Sequence, residues 1–591
     1  VSRAPHNIIQ QALNLLNANQ NDQARALLRR RIQSAPRDAE AHRLLGMLHA
    51  GLNENDQALF YLQRAASLAP NDPYTHYILG NLLMVMRKDP EAAAAYEAAA
   101  RLAPNNFEGY DGLARALLRM GKHEEGVAAY ERGLAAVPDD PASYRMYAHA
   151  MATLGRVDEA LAILHRGVAR LPNDAGLRES LCYNLNFSEE SPERIFEAHR
   201  DLGSLLHQQR ASLPTPPLRN TKDPTRKLRL GIVSGDFCSH ACALFMEGPL
   251  RELDRERFDL FLYYTRAEVE PPTQRFAAMS NWRHCHAASD DDLRAQIIAD
   301  GIDVLIDTAG WTELHRLQCF TPRIAPIQIT WLGYPNTTGV PTMDYRIVDW
   351  TTDPAGAERF CTEQLMRLDR CFVCFRPLET APPPRMTPEL EGDGPITFGS
   401  FNRLSKVRER TARTWAKVLA RVPGSRLFLK SSLVSDDVRA QYEKLFAAEG
   451  ITPDRLLWSS FLPGMEAHLA AYHRVDLALD SFPYNGTTTT CEALWMGVPV
   501  IALEGDVHRA RVGASLLRAA GLPELLAATE EEYIEKAVAL AQDRARLRQL
   551  HNTLRDRVAA SELCDARGFA RALESVIRTA WERWCGQGSE A

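Results

Sequence analysis

No stretch of 18 or more apolar residues occurs in the 591-residue chain, so the sequence offers no helix able to span a bilayer. The N-terminus shows no basic-then-apolar signal pattern, and the expected location is the cytoplasm. Excess positive charge is missing too. The net charge of −6 argues against a broad nucleic-acid surface while leaving room for a local basic pocket. Cysteine is sparse, with 11 scattered residues that form no disulfide framework. The one Cys-x-x-Cys pair, Cys371 and Cys374 in RCFVCF, lacks a second pair and a nearby histidine, so it reads as two buried strand cysteines. There is no Gly-x-Gly-x-x-Gly, no Walker lysine loop and no Gly-x-Ser-x-Gly elbow. The Asp-x-Asp spacing in SDDDLRAQ (289–296) precedes a helix pattern instead of ending a strand, so it reads as N-terminal helix charge. No other carboxylate cluster suggests a metal, and no cofactor is expected.

What the first third does have is a period of 34 residues. Prolines recur at Pro36, Pro70, Pro104, Pro138 and Pro172, and small residues at Ala24, Ala58, Ala92, Gly126 and Ala160. A third column reads Ala12, Gly46, Gly80, Ala114 and Ala148. Three registered columns in five copies are the pattern of tetratricopeptide repeats. The small residues let the two helices of a repeat approach closely, and each proline ends a helix pair. Stacked pairs make a superhelix whose concave groove suits an extended segment of another protein. The array alone also suits a homodimer or spacer element.

From residue 228 onward short apolar runs alternate with helix-length segments. LRLGIVS, FDLFLYY, DVLIDTA, PIQITWLG and YRIVD read as buried parallel strands. The Pro/Gly-rich stretch 377–395 breaks the series, after which ITFGSF, RLFLKSS, RLLWSS, VDLALD and PVIAL resume it. The expected division is repeats over 1–175, a helical and Pro-rich linker over 176–227, one Rossmann-like lobe over 228–385, and a second over 390–591 with a terminal helix. The C-terminal stretch 566–586 reads as a helix that packs back across the first lobe. The fold class is therefore an α-helical solenoid followed by two α/β lobes of GT-B type.

Ligands in open α/β sheets sit beyond the carboxyl ends of strands, which selects four segments. In FGSFNRLSKVRERT, Asn402, Arg403 and Lys406 follow a strand and meet a pyrophosphate. In LDSFPYNGTTTTCEALWMGVP, Tyr484, Asn485 and Gly486 turn the chain, and Thr487, Thr488 and Thr489 open a helix whose N–H groups and hydroxyls suit an anion. Glu492, just inside that helix, suits ribose hydroxyls, and His468 suits the nucleoside. In SGDFCSHACALFMEG, Asp236 and His240 face the cleft, His240 as proton acceptor and Asp236 orienting it. Taken alone, Asp236 would equally cap a helix and His240 would be structural. In WLGYPNTTG, Gly333 allows close approach while Leu332, Tyr334 and Pro335 wall a sugar pocket.

These motifs together resemble the O-GlcNAc transferases, glycosyltransferase family 41, over essentially the whole chain. LRLGIVSGDFCSH, RIAPIQITWLGYPNTTG, FNRLSK and DSFPYNGTTTTCEALWMGVPV carry the likeness. The short linker between lobes is similar to that of bacterial members. The resemblance implies metal-free, inverting transfer of N-acetylglucosamine from UDP to Ser or Thr hydroxyls of proteins held in the repeat groove. It implies Lys406 at the diphosphate with Arg403 beside it, Thr488 and Thr489 at phosphate, Glu492 at ribose, and His468 near the nucleotide. Leu332, Gly333 and Tyr484 fall at the sugar, where Pro335, Asn485, Gly486 and Thr487 beside them are expected as well, and Asp236 with His240 at the catalytic face. Thr487 stands where the family has a histidine, Ser405 where it has a tyrosine, and no histidine matches near 178–184. These departures bear on sugar choice and on strength of activity more than on the UDP site. Two other readings are open: a repeat scaffold with a decayed UDP-sugar site, and a UDP-hexose transferase acting on asparagine or glycans.

Overall fold

The computed structural model describes residues 4–431, 434, 436–460 and 462–586. By contacts the chain falls into two compact units, one made chiefly of residues up to 150, the other of 151–168, 173–434 and 438–591.

The first unit consists of antiparallel helix pairs. Ala39–Gly51 packs on Asn55–Leu68, and Pro73–Val85 on Asp89–Leu102. The repeated small residues set that packing. A Cβ at Gly46 would lie 2.7 Å from Leu62 Cγ, and one at Gly80 would lie 2.7 Å from the Tyr96 ring. Ala24, Ala58 and Ala92 are completely buried. Asp38 and Asp72 cap the first helix of their repeats by accepting from the N–H groups of Ala41 and Tyr74. The second helices stop at Leu68 and Leu102, two residues before Pro70 and Pro104, because the residue preceding a proline disfavours the helical region.

The second unit holds two fully parallel sheets. The first contains β1 (Leu228–Ser234), β2 (Phe258–Tyr264), β3 (Asn281–His284), β4 (Val304–Asp307), β5 (Ile327–Trp331), β6 (Tyr345–Asp349) and β7 (Gln364–Leu368), in the order β3-β2-β1-β4-β5-β6-β7. The second contains β8 (Thr397–Ser400), β9 (Arg426–Lys430), β10 (Leu456–Ser459), β11 (Leu477–Leu479), β12 (Val500–Leu503) and β13 (Leu526–Ala527), in the order β10-β9-β8-β11-β12-β13. Strand order therefore reverses between β1 and β4 in one lobe and between β8 and β11 in the other. Loops leaving β1, β8 and β11 stand at those reversal points, where such sheets bind ligands.

Two segments lie differently from expectation. Residues 176–227 are more than a linker: the helices Ala175–Leu185 and Pro192–Gln209 send Cys182, Leu202 and Leu206 into one apolar core with Val233, Tyr263 and Trp311 of the first lobe. A Cβ on Gly203 would lie 1.9 Å from the Gly339 carbonyl oxygen, so only glycine allows this approach. Cys371 and Cys374 are buried as read, but β7 ends at Leu368 and both sit in irregular backbone beyond it. The final helix, Ala566–Gly586, crosses back to the first lobe and buries Phe569, Leu573, Ile577 and Trp581 in its core. At about 1.5–3 kcal/mol for each fully buried apolar side chain, this helix is a structural part of that lobe. Asp290, Asp291 and Asp292 open the helix Asp290–Ala299, with Ser289 and Asp292 forming a capping box. Among the described residues all 11 cysteines are free, and no helix is long and apolar enough to cross a membrane.

Candidate functional site

A cavity of about 470 Å³ opens between the two lobes, lined from both sheets. Its second-lobe wall comes from the loops after β8 and β11. A short turn, Leu404–Lys406, carries Lys406, whose ammonium donates to the Asn485 carbonyl oxygen at 2.8 Å and lies 3.7 Å over the Tyr484 ring. Burial pulls this lysine down to about 7, opposed by the Asp480 carboxylate and assisted by Arg403. Asp480 is in turn pushed up to about 6 by burial, although the Gly486 N–H donates to it at 2.7 Å and Asn402 Nδ2 at 3.0 Å. Asn402 is the hinge of the arrangement. Its amide oxygen accepts from the Thr489 hydroxyl at 2.9 Å, tying the loop after β8 to the mouth of the helix Thr488–Trp495. Thr487, Thr488 and Thr489 line the cavity beside Lys406, and Arg403 lines it from an exposed position with Nη1 3.3 Å from the Tyr183 hydroxyl.

Asn485 and Gly486 have other tasks than the sugar contact expected of them. Asn485 is completely buried: Nδ2 donates to the Ser481 carbonyl oxygen, and Oδ1 accepts from the Gly513 N–H. A Cβ on Gly486 would lie 2.3 Å from Thr489 Oγ1, so glycine is needed for the threonine to reach Asn402. Both residues shape the loop from behind the cavity wall.

At the β9 side of the cavity three side chains form a chain of bonds. Lys430, closing β9, has its ammonium 2.7 Å from His468 Nδ1, and His468 Nε2 lies 3.0 Å from Glu492 Oε2. A charged lysine only donates, so Nδ1 accepts and the ring proton sits on Nε2, donated to Glu492. Burial lowers the Lys430 pKa, with Glu492 opposing. Glu492, expected at the ribose, is 4% exposed and lies behind His468, which lines the cavity in its place.

The first-lobe wall is different in character. Leu332, Gly333, Tyr334 and Pro335 line it just past β5. Leu332 has φ +64°, a costly region for a residue with a Cβ, and a Cβ on Gly333 would lie 1.9 Å from the Thr308 carbonyl oxygen. The tight crossing of two loop backbones thus fixes the shape of this wall. His240 lines the cavity with 42% of its side chain exposed, whereas Asp236 lies behind it with Oδ1 3.4 Å from His240 Nδ1. Asp236 thus does not itself face the cleft. Nδ1 accepts a long hydrogen bond, 3.3 Å, from the Cys242 N–H, and the Asp236 contact at 3.4 Å becomes an ion pair only when the ring is protonated.

Sequence reasoning passed over several lining residues. Tyr183, Asn186 and Phe187 come from the helix Ala175–Leu185 and the turn after it; Phe187 packs against Tyr484 with ring centroids 5.3 Å apart. Phe372 comes from the irregular stretch after β7. His508 lines the cavity with Nδ1 2.6 Å from Asp353, and burial holds its imidazole below its ordinary value, with Asp353 opposing.

Two doubly wound sheets facing one cavity, with a lysine and a helix mouth gathered at a reversal point, define a GT-B catalytic unit carrying tetratricopeptide repeats. The Tetratricopeptide repeat models match residues 9–73, 51–107 and 117–179. The Glycosyl transferase family 41 model matches residues 170–375 and 385–573, and the chain belongs to that family. It is 38% identical over 420 residues to a protein of Petunia hybrida named probable UDP-N-acetylglucosamine--peptide N-acetylglucosaminyltransferase SPINDLY, covering 70% of this chain and 44% of that one. It is 29% identical to the Arabidopsis thaliana protein of the same activity name, SEC, over 61% of this chain and 38% of that one. The chain spans less than half the length of these curated relatives. Among solved structures, a point mutant of the Thermobaculum terrenum O-GlcNAc transferase superposes with a TM-score of 0.68 at 29% identity, covering 99% of each chain.

Proposed function

We propose that the chain transfers N-acetylglucosamine from UDP to serine or threonine hydroxyls of proteins, with inversion and without a metal, the repeats holding the acceptor. One observation carries this reading. Lys406, the threonines of one helix mouth and the Lys430–His468–Glu492 chain converge on a single cavity, with His240 on its other wall. The diphosphate sits at Lys406 and the helix mouth, with the nucleoside toward His468. The acceptor hydroxyl attacks the anomeric carbon from the face opposite the diphosphate. As the glycosidic bond breaks, negative charge grows on the β-phosphate, and the Lys406 ammonium and the N–H groups of the helix mouth stabilise it, with the Thr489 hydroxyl held by Asn402. His240 takes the proton of the attacking hydroxyl, steadied by Asp236. The names of the curated relatives and of the superposed structure support this donor and acceptor class.

A second reading of the donor has its own support. Tyr484, expected at the sugar, packs on Phe187, and this aromatic surface in the cavity wall also suits a plain hexose. Lys430 beside the base site favours a base carrying a carbonyl acceptor, uracil or guanine. The test is transfer to acceptor proteins from UDP-N-acetylglucosamine, UDP-glucose and GDP-linked hexoses, each with and without EDTA, with mass mapping of the modified residue. Chelator-insensitive transfer from UDP-N-acetylglucosamine onto Ser or Thr is expected. Turnover with the hexose donors alone would replace the donor, modification of asparagine would replace the acceptor, and no transfer from any donor would leave the repeat scaffold.

A further inference from the structure

The loop after β1 contains a grouping of which the proposed transfer uses two members, Asp236 and His240, and leaves the third, Cys242, without a role. Asp236, His240 and Cys242 bring a carboxylate oxygen, an imidazole nitrogen and a thiol sulfur within 4.8 Å of one another. We propose that these three residues bind a thiophilic divalent cation, zinc above all, and that its binding switches the enzyme off. Three arguments support the site. Zinc takes oxygen, nitrogen and sulfur ligands at roughly 2.0–2.3 Å, which in a tetrahedron spaces them about 3.3–3.7 Å apart. Asp236 Oδ1 and His240 Nδ1 already stand at 3.4 Å, and the Cys242 sulfur lies within 4.8 Å of both. The loop is also pinned from outside the trio: the Asp236 N–H donates to Ser234 Oγ at 3.0 Å and the Ser239 N–H to Glu270 Oε2 at 2.6 Å. Finally, Asp236 is buried while His240 and Cys242 both line the cavity, so the site opens toward the cleft.

Chemistry and consequence follow from that position. Without metal the Cys242 thiol keeps its proton, pushed well above its ordinary value by burial and by Asp236. A dication beside it reverses the local balance, so sulfur binds as thiolate and one proton leaves to solvent. The bound ion occupies His240 Nδ1 and the Asp236 oxygen together and places positive charge on the face where the acceptor hydroxyl must lose its proton. Only this inhibitory half rests on the role proposed for His240; the ligand set stands without it.

The experiment is titration of the full chain with Co²⁺ in the absence of donor, followed by transfer assays with Zn²⁺. One equivalent of cobalt is expected to give a near-ultraviolet thiolate charge-transfer band that Cys242→Ser lacks and Asp236→Asn weakens. Low-micromolar Zn²⁺ is expected to abolish transfer, EDTA to restore it, and Cys242→Ser to keep transfer while losing at least tenfold in zinc sensitivity. No thiolate band, or an equal band in Cys242→Ser, overturns the site. A Cys242-dependent band with zinc-insensitive transfer overturns the switch. A chain inactive with every donor yet showing the band keeps the site and rejects the transfer reading instead.

Discussion

The two walls of the cleft are built to different standards. The second-lobe wall is bonded throughout: Lys406 to Asn485 at 2.8 Å, Thr489 to Asn402 at 2.9 Å, Asn402 to Asp480 at 3.0 Å, and Lys430 through His468 to Glu492. The first-lobe wall owes its shape to close backbone crossing at Gly333, and His240 on it is exposed, 3.3 Å from the Cys242 N–H and 3.4 Å from the Asp236 carboxylate. The difference matches the chemistry proposed for each side. A leaving diphosphate is always the same shape and charge, so donors aimed at it in advance lower the barrier without reorganising. Acceptor proteins differ, and a proton acceptor that tightens only when substrate arrives suits them.

The comparison breaks most sharply at Lys406. Lys406→Ala is expected to lower turnover by ~10²–10³, the usual cost of removing one preorganised donor. Its melting temperature should hold or rise, because a buried ammonium is itself unfavourable. Steady-state rates with a thermal melt check this, and full transfer by the variant would end the diphosphate assignment. On the opposite wall, His240→Ala is expected to lose about 10² in turnover, at the low end for a general base. UDP affinity, read by calorimetry, should stay unchanged. Loss of UDP binding in that variant would move His240 to the donor side.

Most of the sheet framework could be read from the chain, and the reasons for the gaps are physical. Strands buried on both faces, such as LRLGIVS and FDLFLYY, appear as continuous apolar runs and coincide with β1 and β2. The edge strands β3 (NWRH) and β7 (QLMRL) keep exposed residues and carry no such run, and β13 has two residues. In the site, rules about strand ends pointed to the loops but not to the use of each side chain. Asn485 and Glu492 look like ligand contacts until their hydrogen bonds are seen to be spent inside the protein. Tyr183 comes from a helix, and Phe187 from the turn after it, in a stretch that sequence patterning assigned to a linker, and His508 finds Asp353 across 155 residues of chain. Lys430 had a readable signal, a lysine closing an apolar strand at its carboxyl end.

A smaller change sharpens the nucleoside side. Glu492→Gln keeps the shape but removes the charged acceptor that holds the His468 proton on Nε2. Hydrogen bonds to charged groups contribute roughly 1.5–3 kcal/mol, so a donor affinity at least tenfold weaker is expected, with turnover at saturating donor little altered. Calorimetric titration with UDP and saturation kinetics separate the two effects. An affinity unchanged by Glu492→Gln would show that the Lys430–His468 pair orients itself.

The mildest test leaves the sequence alone and changes only pH. In the free site burial brings Lys406 to about 7, so above that pH a growing share of the chain lacks the ammonium that the diphosphate needs. The diphosphate's negative charge favours the charged lysine, so binding raises this pKa. The sign follows: below pH 7 the lysine is already charged and binding takes up no proton, whereas at pH 8 binding takes up close to one. Affinity is therefore fully present below pH 7 and falls as pH rises, approaching tenfold per pH unit until the raised pKa of the complex is reached. Titration of UDP at pH 6 and pH 8, in buffers of different ionisation enthalpy, reads the proton directly. Lys406→Arg should abolish the uptake, because a guanidinium stays charged throughout. A proton uptake that persists in Lys406→Arg would assign the linkage to another group on the same wall, Lys430 being the first to examine since burial lowers its pKa as well.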